Sequence, residues 1–237
     1  MTPEQSYAAA RALHETRLRE GWRPIGRKIG FTNRSIWPRY GVYEPIWGTV
    51  YDRTLIESTG NRAAVVLEGL HQPRVEPEIC FKLRGSPRSA NNADLLAAIE
   101  WVGHSVEIVQ CDRPGWKTSL EHSISFNGLH GRLILGSRIP IDALPGLEAR
   151  LPRMEMILSK GDAVVDRGIG EIVLGSPLAA LGHLVRLLST QPEAQPLAAG
   201  EIISTGTLTD AYPVAPGEAW STEIRGLPLA GMHLAFA

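Results

Sequence analysis

Val75-Glu76-Pro77-Glu78-Ile79 carries two carboxylates two residues apart. On an extended segment such side chains leave from one face, about 6.5 to 7 Å apart, so a single cation can lie between them. Carboxylate oxygens suit Mg²⁺, Mn²⁺ or Ca²⁺, and Mg²⁺ in particular takes few protein ligands while keeping waters of its own. The alternative is a solvent-facing strand edge, where Pro77 is tolerated because no neighbour needs its amide hydrogen. Ile79, Cys80 and Phe81 follow directly, and so apolar a continuation places the pair beside the interior.

Glu107 is a third carboxylate, set in Ser105-Val106-Glu107-Ile108-Val109. It is either a surface residue of an alternating strand or, where its strand neighbours the first, a third oxygen ligand that leaves positions open for substrate and water. Lys28 lies in Gly26-Arg27-Lys28-Ile29-Gly30, between two glycines that let another backbone approach. On the surface it is unremarked; buried, it can hold a substrate carboxylate or, with a depressed pKa, carry a proton. Ser204-Thr205-Gly206-Thr207 offers hydroxyls and free amides that suit a carboxylate, or simply ends a strand. Among the histidines, His130 stands in a glycine-flanked turn, Gly128-Leu129-His130-Gly131, just before a strand.

These groups have to be positioned by short elements. Thr2-Pro3-Glu4-Gln5 predicts a capped first helix that Gly21 closes. Between Trp22 and Gly48 seven glycines and prolines punctuate the chain, with Trp37, Tyr40, Tyr43 and Trp47 among them, so a loop with cavity-lining aromatics is expected. Strands are expected over 49–56, 63–67, 76–83, 105–109, 132–135, 154–158, 200–207, 220–224 and 232–236, with a hairpin turn at Lys160-Gly161-Asp162. Two further helices are expected, one capped by Asn92 over 93–102 and one from Ser176-Pro177 to Leu188. The sum is a mixed α+β chain with about three helices.

Of the 237 residues, 43% are hydrophobic and 21% charged, which excludes a disordered chain. The 24 basic and 25 acidic side chains leave a net charge of -1 with no block of either sign, so no nucleic-acid or polybasic membrane surface is expected. The longest apolar stretches fall short of the roughly 20 residues that cross a bilayer, and the polar N-terminus does not resemble a signal peptide. Cys80 and Cys111 form no disulfide framework, and the cytoplasm is the expected compartment. Dinucleotide fingerprint, phosphate-binding loop, nucleophile elbow and HExxH are all absent, which disfavours nucleotide-dependent and serine-hydrolase chemistry.

Taken together in order and spacing, these segments resemble the fumarylacetoacetate hydrolase superfamily, in its 2-keto-4-pentenoate hydratase and 4-oxalocrotonate decarboxylase branch. The resemblance rests on Gly26 to Thr32, Gly41-Val42-Tyr43-Glu44-Pro45-Ile46-Trp47-Gly48, Val75 to Ile79, Glu107-Ile108-Val109 and Gly200 to Thr207, and it spans nearly the whole chain. It implies a β-roll with a few peripheral helices, forming one catalytic domain over 1–237. Within it, 1–48 would supply a helix and an aromatic lid and 49–237 a β-rich core. It implies a divalent metal, Mg²⁺ or Mn²⁺, on Glu76, Glu78 and Glu107, acting as a Lewis acid on a small 2-oxo acid and stabilising the enolate left when a proton or CO₂ departs. Lys28 would bind the substrate carboxylate or move a proton, and Gly30, Trp47, Thr205 and Thr207 would contact substrate.

The favoured reaction is hydration of a 2-hydroxy-2,4-dienoate. Decarboxylation of a 4-oxalocrotonate or oxaloacetate type is the alternative. Carbon–carbon hydrolysis of an acylpyruvate is a further one, weakened because the His-Glu pair typical of such lids does not occur between Gly30 and Trp47. A homo-oligomer is expected, or a non-catalytic subunit partnering a related hydratase or decarboxylase. The branch's usual Asp-Asn pair and serines are replaced here by Ser125-Phe126-Asn127-Gly128-Leu129-His130-Gly131, which makes His130 the candidate substitute for the lost proton carrier. Ser176-Pro177 likewise stands where His-Pro is usual.

Overall fold

Thr2 opens the first helix as its spacing predicts. Its hydroxyl accepts the Gln5 amide at 3.3 Å while the Gln5 side chain accepts the Thr2 amide at 2.9 Å, and Pro3 takes the first helical position of α1 (Pro3–Arg19). The computed structural model describes residues 2–191 and 193–237, Arg39 by its backbone alone; Met1 and Pro192 lie outside the described residues.

The segment expected to be mostly loop instead contains β1 (Pro24–Gly30), followed by the short α2 (Trp37–Tyr40) and the start of β2 (Ile46–Tyr51). The glycines misled because one of them is a packing requirement rather than a turn. A Cβ on Gly26 would sit 1.9 Å from the Ile202 carbonyl oxygen, so only glycine lets β1 lie beside that strand. The chain continues through β3 (Leu55–Glu57), β4 (Arg62–Val65) and β5 (Arg74–Leu83) to α3 (Asn92–Ala98). Here Asn91, not Asn92, is the cap, accepting the Asp94 amide at 2.8 Å, and the helix ends four residues before the expected Val102. Ile99 turns the backbone extended, and its β-branched, aromatic continuation forms the eleven-residue β6 (Ile99–Val109).

After β6 come α4 (Leu120–Ser125), β7 (His130–Pro140), α5 (Leu147–Arg150), β8 (Glu155–Lys160), β9 (Ala163–Ile169), α6 (Pro177–Ser189), β10 (Ile202–Thr207), β11 (Tyr212–Pro213), β12 (Ala219–Arg225) and β13 (His233–Phe236). One mixed sheet has the order β2-β1-β10-β5-β6-β7-β3 with β11 on β5, and a second has β4-β13-β12-β8-β9. Most neighbours are antiparallel; β1–β10, β3–β7 and β4–β13 are parallel. Val106, Ile108 and Ile134 meet Leu158, Trp220, Leu234 and Phe236 between the sheets, and α6 buries Leu181, Leu184 and Leu188 in a second cluster with Ile79, Phe81, Val102 and Ile203 of the first sheet.

Candidate metal centre and cleft

β5 and β6 pair antiparallel with Glu76 directly opposite Glu107, and Glu78 follows two residues on. Period-two alternation then brings all three carboxylates to one face, and an oxygen of each lies within 4.8 Å of the others. On β1, in the same sheet, Lys28 reaches the group: its Nζ is 3.0 Å from Glu107 Oε2 and donates to the Gly128 carbonyl at 2.9 Å.

Glu78 and Glu107 are fully buried, and Glu76 opens onto a cleft of about 910 Å³ including its mouth. Ser204 Oγ and the Gly206 amide (3.0 Å) both donate to Glu78 Oε2. That amide is aimed by a bulge between Ser204 and Thr207, where Gly206 takes φ +97° and a Cβ would sit 1.9 Å from Thr32 Oγ1. The hydroxyls and amides of this segment therefore do hold a carboxylate, the protein's own. Among the described residues Glu78 Oε1 has no hydrogen-bond partner, and Glu107 Oε2 has only the Lys28 ammonium beside it, at 3.0 Å.

Burial pushes Glu76 up to about 7, with Glu107 adding to the rise and Lys28 opposing it. Burial raises Glu78 well above the usual carboxylate range, reinforced by Glu107 and Glu76. Burial also acts upward on Glu107, but Lys28 and His130 outweigh it and hold that carboxylate low. On Lys28, burial acts downward and is outweighed by Glu107, Glu76 and Glu78, so its pKa is raised, not depressed. Three carboxylates against one ammonium leave a surplus of two negative charges when all are ionised. With Glu78 Oε1 buried and unpartnered among the described residues, that all-oxygen set fits a divalent cation.

Gly30 and Thr207 line the cleft, beside Lys28, Phe31, Tyr40 and Arg74. Trp47 and Thr205 do not. On β2 it is Ile46 that faces the cleft, so alternation turns Trp47 to the other side, where its ring stacks on Tyr7 at 5.7 Å and its indole donates to Gln191 at 3.0 Å. Thr205 is turned away from Ser204 in the same manner and donates to the Ile79 carbonyl at 2.7 Å. His130 stands behind Glu107 rather than on the cleft, with Nδ1 2.8 Å from Glu107 Oε1 and Nε2 2.8 Å from Thr54 Oγ1. Burial lowers its pKa against the pull of Glu107. Both nitrogens are engaged, so the ring has no free face with which to meet a substrate; the physical reason is that residue 130 opens β7, which packs directly on β6.

Residue-type reasoning missed Arg74. It lines the cleft with its guanidinium 4.2 Å above the Trp116 ring, and its Nε is buried without a hydrogen-bond partner among the described residues. The available signal was its position two residues before Glu76 on the same strand, hence on the same face.

Carboxylates converging at the floor of a cleft, within an extended mixed sheet, mark an enzyme of the kind that works on small anionic substrates through a bound cation. No protein-family model matches the chain. It is 33% identical over 229 residues to the 2-keto-4-pentenoate hydratase of Paraburkholderia xenovorans (strain LB400), covering 96% of this chain and 82% of that one. It is 32% identical over 229 residues to a 4-oxalocrotonate decarboxylase of a Pseudomonas species, covering 96% and 85%. The solved 4-oxalocrotonate decarboxylase from Pseudomonas putida G7, complexed with magnesium and adipate, superposes with a TM-score of 0.90 at 25% identity, over 100% of this chain and 87% of that one. The chain belongs to the family of 2-keto-4-pentenoate hydratases and 4-oxalocrotonate decarboxylases and is a lyase, and its fold is that of solved fumarylacetoacetate hydrolase family structures.

Proposed function

We propose that the protein hydrates a 2-hydroxy-2,4-dienoate, with Glu76, Glu78 and Glu107 holding Mg²⁺ or Mn²⁺. The observation that carries the reading is the buried Glu78 Oε1, unpartnered among the described residues, in a three-carboxylate group beside the cleft. Kinship with hydratases along 96% of the chain supports the substrate class. When bound, the cation supplies Lewis acidity toward a 2-oxo acid's carboxylate and keto oxygens.

The remaining work falls to the chain. Lys28, its pKa raised by the surrounding carboxylates, stays an ammonium that attracts the substrate carboxylate and keeps Glu107 in place at 3.0 Å. Ile46, Val109 and Leu129 give the cleft an apolar wall that suits a diene tail and keeps stray water from it. Phe31 and Tyr40, in contact at 5.7 Å, cover the same space. His130 acts as a positioning residue: its bond to Glu107 Oε1 leaves Oε2 as the oxygen turned toward Lys28.

One observation favours a second reading. Arg74, with an unpartnered Nε in the cleft wall, offers a donor for an anion at the far end of the substrate, as a dicarboxylate such as 4-oxalocrotonate would carry. Hydration and decarboxylation are separated by following the ultraviolet absorbance of 2-hydroxypenta-2,4-dienoate and of 4-oxalocrotonate, with Mg²⁺ or Mn²⁺ and with chelator. Metal-dependent loss of the diene band, absent in a Glu76→Gln, Glu78→Gln double variant, is expected. Turnover of 4-oxalocrotonate alone, with release of CO₂, replaces the first reading by the second, and no turnover of either removes both.

A further inference from the structure

We propose a second metal site, for zinc, formed by Cys111, Asp112 and His122 at the base of one wall of the cleft. A thiol sulfur, a carboxylate oxygen and an imidazole nitrogen from these residues lie within 4.8 Å of one another. Cys111 and Asp112 follow the end of β6 and His122 stands in the first turn of α4. Between them runs the segment carrying Trp116 and Thr118, both of which line the cleft.

The three side chains are held in place by bonds that are not their own. The Gln72 side-chain amide donates to the carbonyls of Cys111 and Arg113, each at 2.8 Å, which pins the backbone bearing Cys111 and Asp112. Ser119 caps α4 by accepting the His122 amide at 3.2 Å, and the imidazole stacks on Phe126 at 5.6 Å. His122 Nε2 already meets Asp112 Oδ1 at 2.7 Å. The Cys111 thiol, fully buried, has only a long 3.8 Å contact to the Arg113 carbonyl among the described residues. Asp112 is exposed and His122 partly so, which gives an ion a path in from solvent past Asp112.

The donor set decides the ion. Thiolate, imidazole and carboxylate together suit Zn²⁺, whereas the three glutamates of the other centre offer oxygen alone and suit harder ions. Zinc bond lengths of about 2.0 to 2.3 Å put tetrahedral ligands roughly 3.3 to 3.7 Å apart, so the thiol sulfur has to close by up to about an ångström while His122 Nε2 and Asp112 Oδ1, 2.7 Å apart, open by roughly half an ångström. On binding, Cys111 releases its proton to solvent and the imidazole contributes a ring lone pair. No atom is oxidised or reduced, and water takes the fourth position. An ion there joins the end of β6 to α4 and fixes both ends of the segment that bears Trp116 and Thr118.

The test titrates the Mg²⁺-saturated enzyme with Co²⁺, a spectroscopic substitute for zinc. The expected result is a near-ultraviolet sulfur-to-cobalt charge-transfer band that saturates at one equivalent and disappears when Zn²⁺ is added. Cys111→Ser should abolish the band, and His122→Gln, at a partly exposed position that keeps the thiol, should weaken Co²⁺ binding at least about tenfold. Glu78→Gln should leave the band intact, which separates this site from the carboxylate centre and from the function proposed for it. The proposal is overturned by absence of the band, by a band that survives Cys111→Ser, or by one lost in Glu78→Gln. Should Cys111→Ser fail to fold, judged by its metal-free melting midpoint, unchanged affinity in His122→Gln overturns it as well.

Discussion

Adding Mg²⁺ or Mn²⁺ to metal-free protein should raise its melting temperature, and Glu78→Gln should remove most of that rise. In the metal-free protein Glu78 Oε1 is buried without a hydrogen bond among the described residues. Such an atom costs about 1–3 kcal/mol, more where the group is charged. A cation that satisfies it binds the folded chain and not the unfolded one. At a hundred times its dissociation constant it stabilises by about 2.7 kcal/mol. For a chain of this length each kcal/mol moves the midpoint by about 2–4 °C, so a rise of roughly 5–11 °C is expected. Burial and the neighbouring carboxylates raise the Glu78 pKa and so favour its neutral form, which Gln resembles, so the substitution should leave the metal-free midpoint nearly unchanged. Protons compete for the same oxygens: with Glu76 titrating near 7, lowering the pH from 8 to 6 should shrink the rise as metal has to displace bound protons. Calorimetry in chelator and in excess metal, for both proteins at both pH values, measures all of this. An equal rise in Glu78→Gln, or metal binding with no rise in the unaltered protein, would refute the reasoning.

His130→Gln should raise the metal concentration needed for half-maximal activity by about 10- to 100-fold while leaving kcat at saturating metal near its original value; a loss of kcat that metal cannot restore would instead make His130 a proton carrier. Arg74→Gln should lower kcat/KM for a dicarboxylate by roughly 10- to 100-fold and change that for a monocarboxylic dienoate little, the discrimination of a charged hydrogen bond worth about 1.5–3 kcal/mol. Gly206→Ala should destabilise the fold by about 1–3 kcal/mol and weaken metal binding, because φ +97° and the 1.9 Å approach to Thr32 Oγ1 leave no room for a methyl group, and urea unfolding measures the first effect. His104 is buried between the Glu78 carbonyl and Thr222 Oγ1, and burial lowers its pKa from 6.5 to about 4. The unfolded chain therefore takes up a proton on this residue that the folded chain refuses, so stability falls as pH drops from about 6.5 towards 4, by about 1.4 kcal/mol per unit; urea midpoints at pH 7 and 5 should show the loss in the unaltered protein and less of it in His104→Gln.

What could be read from the chain follows the period of its elements. Glu76 and Glu78 share a face because strands alternate, and that much needed only their spacing. That Glu107 stands opposite Glu76 is a matter of register between two strands, which no local pattern specifies. Trp47 and Thr205 were misplaced by a single step of the same alternation, since being one residue from Ile46 or Gly206 turns a side chain to the other side of the sheet. β1 was hidden because Gly26 and Gly30 resemble turn residues when the carbonyl that crowds Gly26 belongs to a strand more than 170 residues away. The end of α3 was overrun because Ile99 to Val102 is apolar enough for either element, and the extended geometry at Ile99 is decided by pairing with β5 and β7. Arg74 escaped notice for want of any partner in the sequence to mark it.

The parallel pairing of β1 with β10 sets Lys28 beside Ser204, which is to say the first strand of the chain beside one of its last. A polypeptide emerging from the ribosome in order therefore holds Lys28 early and cannot enclose it until residue 207 has been made. Glu76, Glu78 and Glu107 can come together earlier, on neighbouring strands, but the hydroxyl and amide that grip Glu78 arrive with β10. Contacts so distant along the chain are slow to form. The centre is thus completed only near the end of synthesis, and a growing chain that met a metal ion before then would offer it three loose carboxylates with neither the donors of Ser204 and Gly206 nor the packed wall that makes them selective.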